Sequence, residues 1–140
     1  MLEFRHELFN SQGCLPAIGS TGSPSMAGAP FDITCSSVIN NKLGLLFYGY
    51  QSKSLPYQGG TLCVTGALKR TPVQSAGGNP PPDDCSGLYS YDFDARIQSG
   101  IDASLVEGAV VFVQYWYRDP ANSSGFTTAR SDALAFTILP

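Results

Sequence analysis

Apolar positions in this chain recur mostly at every second residue, in strand-length runs separated by clusters of Gly, Pro, Asn and Ser. Residues 31–39 set Phe31, Ile33, Cys35 and Ile39 on one side and Asp32, Thr34 and Ser36 on the other, the period of a half-buried strand. Residues 43–50 are nearly continuously apolar, and Gly44 and Gly49 within them mark a bulge or a close approach of neighbouring chain. A short strand is predicted over 61–65 and continues over 67–71 after Gly66. Residues 88–95 alternate most regularly, with Tyr89, Tyr91 and Phe93 opposite Ser90, Asp92 and Asp94. Residues 109–117, rich in β-branched and aromatic side chains, predict the strongest strand. Arg118-Asp119-Pro120 stops it, because proline cannot continue a ladder. A last strand over 132–139 sets Leu134, Phe136 and Ile138 against Ala133, Ala135 and Thr137.

The stretches between are turn-like. Residues 19–30 read as a loop or an irregular edge, Asn40-Asn41-Lys42 as a turn, and 52–60 as a polar loop holding Pro56 and Tyr57. Residues 72–87, with Gly77-Gly78-Asn79 followed by Pro80, Pro81 and Pro82, form the longest predicted non-strand stretch. About six to eight short strands and no amphipathic helix predict an all-β fold. Strands without crossover helices pair antiparallel, so the expected architecture is an antiparallel β-sandwich, jelly-roll or Ig-like, with a barrel as the alternative. Residues 14–140 read as one domain. Residues 1–13, where Leu2, Phe4, His6 and Leu8 alternate weakly, differ from the rest and read as an N-terminal arm, a linker or a tag remnant.

Composition narrows the setting. Of 140 residues, 43% are hydrophobic, enough for a sizeable core, while only 14% are charged and the net charge is −3. Low charge with abundant Gly, Ser, Thr, Asn and Pro suits an extracellular β domain better than a helical protein. No basic stripe exists to bind nucleic acid, and no apolar run approaches the ~20 residues of a membrane-spanning helix. No apolar leader is visible, since Glu3, Arg5 and Glu7 stand where its centre would be.

Four cysteines, Cys14, Cys35, Cys63 and Cys85, are scattered, with a lone His6. Zinc sites favour close cysteine pairs or added histidines, so the pattern predicts two disulfides formed in an oxidising compartment. Of three pairings, local closure favours Cys14–Cys35 with Cys63–Cys85. Four free buried thiols are the rival reading.

Candidate chemistry is sparse. Trp116, flanked by Tyr115 and Tyr117, and Tyr57 could stack on sugar rings, but alternation along a strand places at least one of these aromatic sets in the core. Arg118 and Asp119 read as a binding pair or as a structural corner. Paired carboxylates can serve glycoside hydrolysis or bind calcium; Asp92 and Asp94, two apart on one strand face, would sit roughly 7 Å apart, which excludes neither a retaining nor an inverting pair. They also read as one solvent-facing row with Ser90. Asp83 and Asp84 lack an EF-hand pattern. No G-x-S-x-G is present, so no catalytic residue, metal or cofactor is assigned. Asn122-Ser123-Ser124 is a glycosylation sequon.

Three segments together resemble a poorly characterised bacterial domain family of secreted and cell-surface proteins in planctomycetes, myxobacteria and related lineages. Gly60-Thr61-Leu62-Cys63-Val64-Thr65-Gly66-Ala67-Leu68-Lys69-Arg70 is similar to its G-x-L-C-L-x-G-x-I-x-R segment. Gln114-Tyr115-Trp116-Tyr117-Arg118-Asp119 matches Q-x-W-Y-R-D, and Ser131-Asp132-Ala133-Leu134-Ala135-Phe136-Thr137 matches S-[ND]-A-L-x-F-T. The resemblance covers 14–140 and implies a secreted β-rich module with no established catalytic residues to carry over. It favours the corner reading of Arg118 and Asp119. The expected function is a structural or adhesive surface module, self-assembling into a filament or layer through its N-terminal arm, with itself, other surface proteins or glycans as partners. A carbohydrate-binding module is the alternative, and a small hydrolase using Asp92 and Asp94 comes third.

Overall fold

The computed structural model describes residues 2–4, 9–28, 30–57, 60–65, 68–121 and 127–140, and of 2–4, 52–57 and 60–65 the backbone. Among the described residues the chain is mostly β, with eleven strands and one helix. In order these are β1 (Leu2–Phe4), β2 (Ala17–Gly22), β3 (Phe31–Val38), β4 (Leu43–Gly49), β5 (Gln51–Tyr57), β6 (Gly60–Thr65), β7 (Lys69–Arg70), β8 (Gln74–Ser75), β9 (Gly87–Asp92), α1 (Phe93–Ser99), β10 (Val110–Arg118) and β11 (Thr128–Thr137). The larger sheet runs β1-β11-β10-β4-β7, with β8 also on β4; β2-β3-β9 form a second sheet, and β5-β6 a hairpin. The paired strands are antiparallel.

Alternation predicts the inward faces well. Phe31, Ile33 and Cys35 of β3 and Val111, Val113, Tyr115 and Tyr117 of β10 are buried in one common cluster with Tyr89 and Phe136. The two sheets meet there: the Tyr89 ring from β9 stacks on Tyr115 from β10, centroids 5.5 Å apart, and the Tyr115 hydroxyl donates to the Ile33 carbonyl. Burial of each such ring contributes roughly 1.5–3 kcal/mol, so this layer holds the two sheets together. Gly44 makes the approach fit. A Cβ there would lie 2.7 Å from both the Tyr89 ring and the Trp116 carbonyl, which is the close packing its position in a strand suggests.

The opposite face of the larger sheet carries a second cluster, Leu45 and Phe47 with half-buried Phe112 and Trp116. The β5–β6 hairpin runs against β4, β10 and β11. Crossing three neighbouring strands requires passing over a face, and the inner face is already filled by the second sheet.

Three expectations are corrected. Residues 52–60 are no simple loop, because Gln51–Tyr57 pairs with Gly60–Thr65; a two-stranded hairpin tolerates Pro56, which stands opposite Thr61. The strand predicted over 88–95 ends at Asp92, whose carboxylate accepts the Asp94 and Ala95 N–H groups and starts α1, while Gly100 at φ 73° ends it. The third concerns the cysteines. Cys14 bonds to Cys85, with Cα atoms 5.7 Å apart, and Cys35 is a free, buried thiol. The expected Cys14–Cys35 and Cys63–Cys85 pairs therefore do not form. Sequence proximity misled, because β3 aims Cys35 into the core beside Tyr89 and Tyr115, while Cys14 meets Cys85. Burial pushes the Cys35 thiol pKa well up, with nearby Asp132 adding to the shift. The side chain of Cys63 lies outside the described residues.

Candidate functional site

Residues 10–14 are fixed at one corner of the larger sheet. Asn10 accepts the N–H groups of Gln12 and Cys14, both at 3.0 Å, and closes a tight turn in which Gly13 adopts φ 73°. Asp119, fully buried just past β10, accepts the Ser11 N–H at 2.8 Å and the Ser11 hydroxyl. Asp119 is thus a structural corner that receives the arm. Its neighbour Arg118 is exposed. Cys14 then ties the same turn to Cys85 across 71 residues.

Cys85 closes the proline-rich loop. Asn40, buried beneath that loop, donates to the carbonyls of Asn79 at 2.7 Å and Pro82 at 3.2 Å and accepts the Asp84 N–H at 2.8 Å. Asp84 accepts from the Ser86 hydroxyl and N–H and from Asn79, which hold its carboxyl below the usual range. Asp83 pairs with Lys42 at 3.2 Å on the surface, where such a pair contributes little.

Beyond the corner, β1 lies on the outer edge of β11, with Leu2 opposite Ala135, Glu3 opposite Leu134 and Phe4 opposite Ala133. Farther along β11, Asp132 accepts the Ile18 N–H of β2 at 2.8 Å and ties the two sheets at this side.

The carboxylates considered for hydrolysis or calcium are divided by the start of the helix. Asp92 caps α1, whereas Asp94 is buried and its Oδ1 accepts the Ser25 N–H at 2.9 Å. Asp94 Oδ2 makes no hydrogen bond among the described residues, and burial raises the pKa of this carboxyl, with Asp92 adding to the effect. Among the described residues no group of three or more His, Cys, Asp or Glu is placed to hold a metal ion. Trp116 belongs to the outer cluster with Leu45, Phe47 and Phe112. Tyr57 stands in β5 opposite Gly60, and its side chain lies outside the described residues, as do His6 and the 122–124 sequon.

One polar cluster was not foreseen. The hydroxyls of Tyr48 and Tyr50 both donate to Asp102 Oδ2, at 2.7 and 2.9 Å, and Arg96 Nε donates to the Tyr48 hydroxyl at 2.9 Å while lying over its ring. Burial pushes Tyr48 up to about 12. Burial also acts against the charged form of Asp102, but the bonds from Tyr48, the Ser104 N–H and Tyr50 outweigh it and hold the carboxyl low. A Tyr-x-Tyr pair at the end of an apolar strand, followed far downstream by Arg and Asp, gives no local signal of this meeting.

Among known proteins, no family model, no curated protein and no solved structure matches the chain. No helix among the described residues is long and apolar enough to cross a membrane.

Proposed function

We propose that the chain is a structural module working outside the cytoplasm, built as a disulfide-stapled β-sandwich that displays and joins surfaces. The observation that carries this reading is Cys14–Cys85. Disulfides of this kind form and persist in oxidising compartments, and this one fixes the arm and the proline-rich loop at one corner. The sparse charge and the three-segment resemblance point the same way, and Asp119 in that resemblance has a structural task. The shared aromatic cluster supports the sandwich reading, with the hairpin laid on its outer face.

The test is the thiol state of the protein in its native cells. Surface or medium fractions should hold the chain with Cys14 and Cys85 protected from alkylation until a reductant is added. A cytoplasmic chain with both thiols freely alkylated overturns the proposal.

Glycan binding is the second reading, favoured by half-exposed Tyr50 and Arg96 set around Asp102. Retention on insoluble polysaccharides, lost in Tyr50→Ala, supports it; no retention of the intact chain on any of them removes it.

A further inference from the structure

We propose that β1 is an exchangeable strand, in which residues 2–4 of one copy occupy the β11 edge of a second copy and join chains edge to edge.

The arm has a fixed anchor and a separable tip. From Asn10 onward it is held by the Asn10 turn, the Ser11–Asp119 bonds and Cys14–Cys85, none of which uses β1. The strand can therefore leave its edge without opening the corner. Phe9, directly before the anchor, is 65% exposed and adds no buried contact to it.

Direction also fits. β1 runs from opposite Ala135 toward opposite Ala133, heading for the Thr128 end of β11. Asp119 lies at that same end, since Arg118 pairs with Thr128 and the Asp119 N–H donates to the Thr127 carbonyl. The anchor thus stands at one end of the edge that β1 covers. A strand starting there reaches its own β11 or the β11 of a copy set beside it.

The bound state is close to balance. Three residues make a short ladder, and the entropy of fixing each backbone residue is comparable to the net gain of one ladder hydrogen bond. Once β1 leaves, β11 presents unpaired backbone groups over a run whose side chains are buried, which is a template for strand pairing. The occupant with matching register already exists in every other copy. An exchanged strand makes the same contacts as a returned one, so exchange costs only the association of two chains. Because only five residues separate Phe4 from Asn10, the chain's own strand is offered to its edge at an effective concentration near the millimolar range. Exchange therefore wins when copies are crowded to a similar density.

The proposal deepens the structural-module reading and rests on it for that crowding. Its failure leaves that reading, which the thiol state tests separately, untouched.

Two single variants of the full chain, Leu2→Cys and Ala135→Cys, are mixed and oxidised at about 10 μM, far below the tether range, and at about 1 mM, which reaches it. A disulfide between the two variants that maps to positions 2 and 135 reports a strand that has crossed between copies, because position 135 is buried in β11. The expected result is a cross-linked heterodimer that rises at least about tenfold in yield between the two concentrations, reversed by reductant. In parallel, light scattering at the higher concentration should show oligomers for the full chain and monomers for a chain lacking residues 1–8. No heterodimer at either concentration overturns the proposal, as does an unchanged mass distribution after the deletion.

Discussion

The larger sheet has two edges, and they are closed in different ways. At the β4 edge, β7 and β8 pair with two residues each, and the chain around them is fastened many times. Thr71 donates both its N–H and its hydroxyl to the Leu46 carbonyl, Ala76 links the Lys42 carbonyl to the Leu88 N–H, and Asn41 donates to Gly77. The loop that follows is held by Asn40 beneath it and by Cys85 at its end. At the β11 edge, a three-residue strand from the start of the chain supplies the ladder. Short strands therefore do not imply weak edges. The surrounding anchors decide: at the β4 edge they follow β7 and β8 directly, whereas at the β11 edge the Asn10 turn, the Ser11–Asp119 bonds and Cys14–Cys85 come only after β1 has ended.

The disulfide should show the largest effect. Replacing Cys14 and Cys85 together by serine releases a closure of 71 residues, worth about 4 kcal/mol by the chain-entropy relation. Urea unfolding should show that loss. A loss under about 1 kcal/mol would mean that the two halves of the corner hold without their staple.

Gly44→Ala probes the fastened edge from within, since Gly44 pairs with Gln74 of β8 while the Tyr89 ring lies on it. Overpacking of this kind costs roughly 1–3 kcal/mol. The near-ultraviolet signal of the tyrosines should change with it, and an unaltered melt and spectrum would show that the Tyr89 layer yields freely.

Asp94 lies on α1, away from both edges, and serves as a control. Burial raises its folded pKa above the unfolded one. The stability it contributes is therefore fully present below the ordinary carboxylate range and is lost as pH rises through the raised value. Melting temperatures of the parent should fall across that window relative to Asp94→Asn. Parallel pH curves for the two proteins would contradict the assignment.

The smallest expected effect is removal of residues 1–8, which should cost no more than about 1 kcal/mol, the size of a few exposed ladder bonds offset by ordering entropy. A loss as large as that from the disulfide would make β1 an integral part of the fold.

Much of the sheet framework was legible, because Phe31, Ile33 and Cys35, and Tyr115 and Tyr117, alternate with polar or oppositely facing neighbours, and alternation is a local signal. Gly44 was read correctly for a similar reason: a glycine inside an apolar strand needs a close neighbour. The helix was missed because Tyr89, Tyr91 and Phe93 continue the strand period straight through the Asp92 cap, and a seven-residue helix offers too few turns to show its own period. The β5–β6 hairpin was missed because its first strand is polar and contains Pro56. The cysteine pairing was illegible for another reason. It depends on which residues the fold brings to one corner, and the Ser11–Asp119 bonds that help build that corner join positions 108 residues apart. The Tyr48–Tyr50–Arg96–Asp102 cluster escaped for the same cause.

Amide hydrogen exchange under native conditions tests the contrast between the two edges most directly. The amides of Thr71, Ala76 and Leu88 at the fastened edge should exchange only with global unfolding, and those of the β1 ladder much faster, through local openings that leave the rest of the sheet protected. Equal protection at both edges, tracking global stability, would contradict the account.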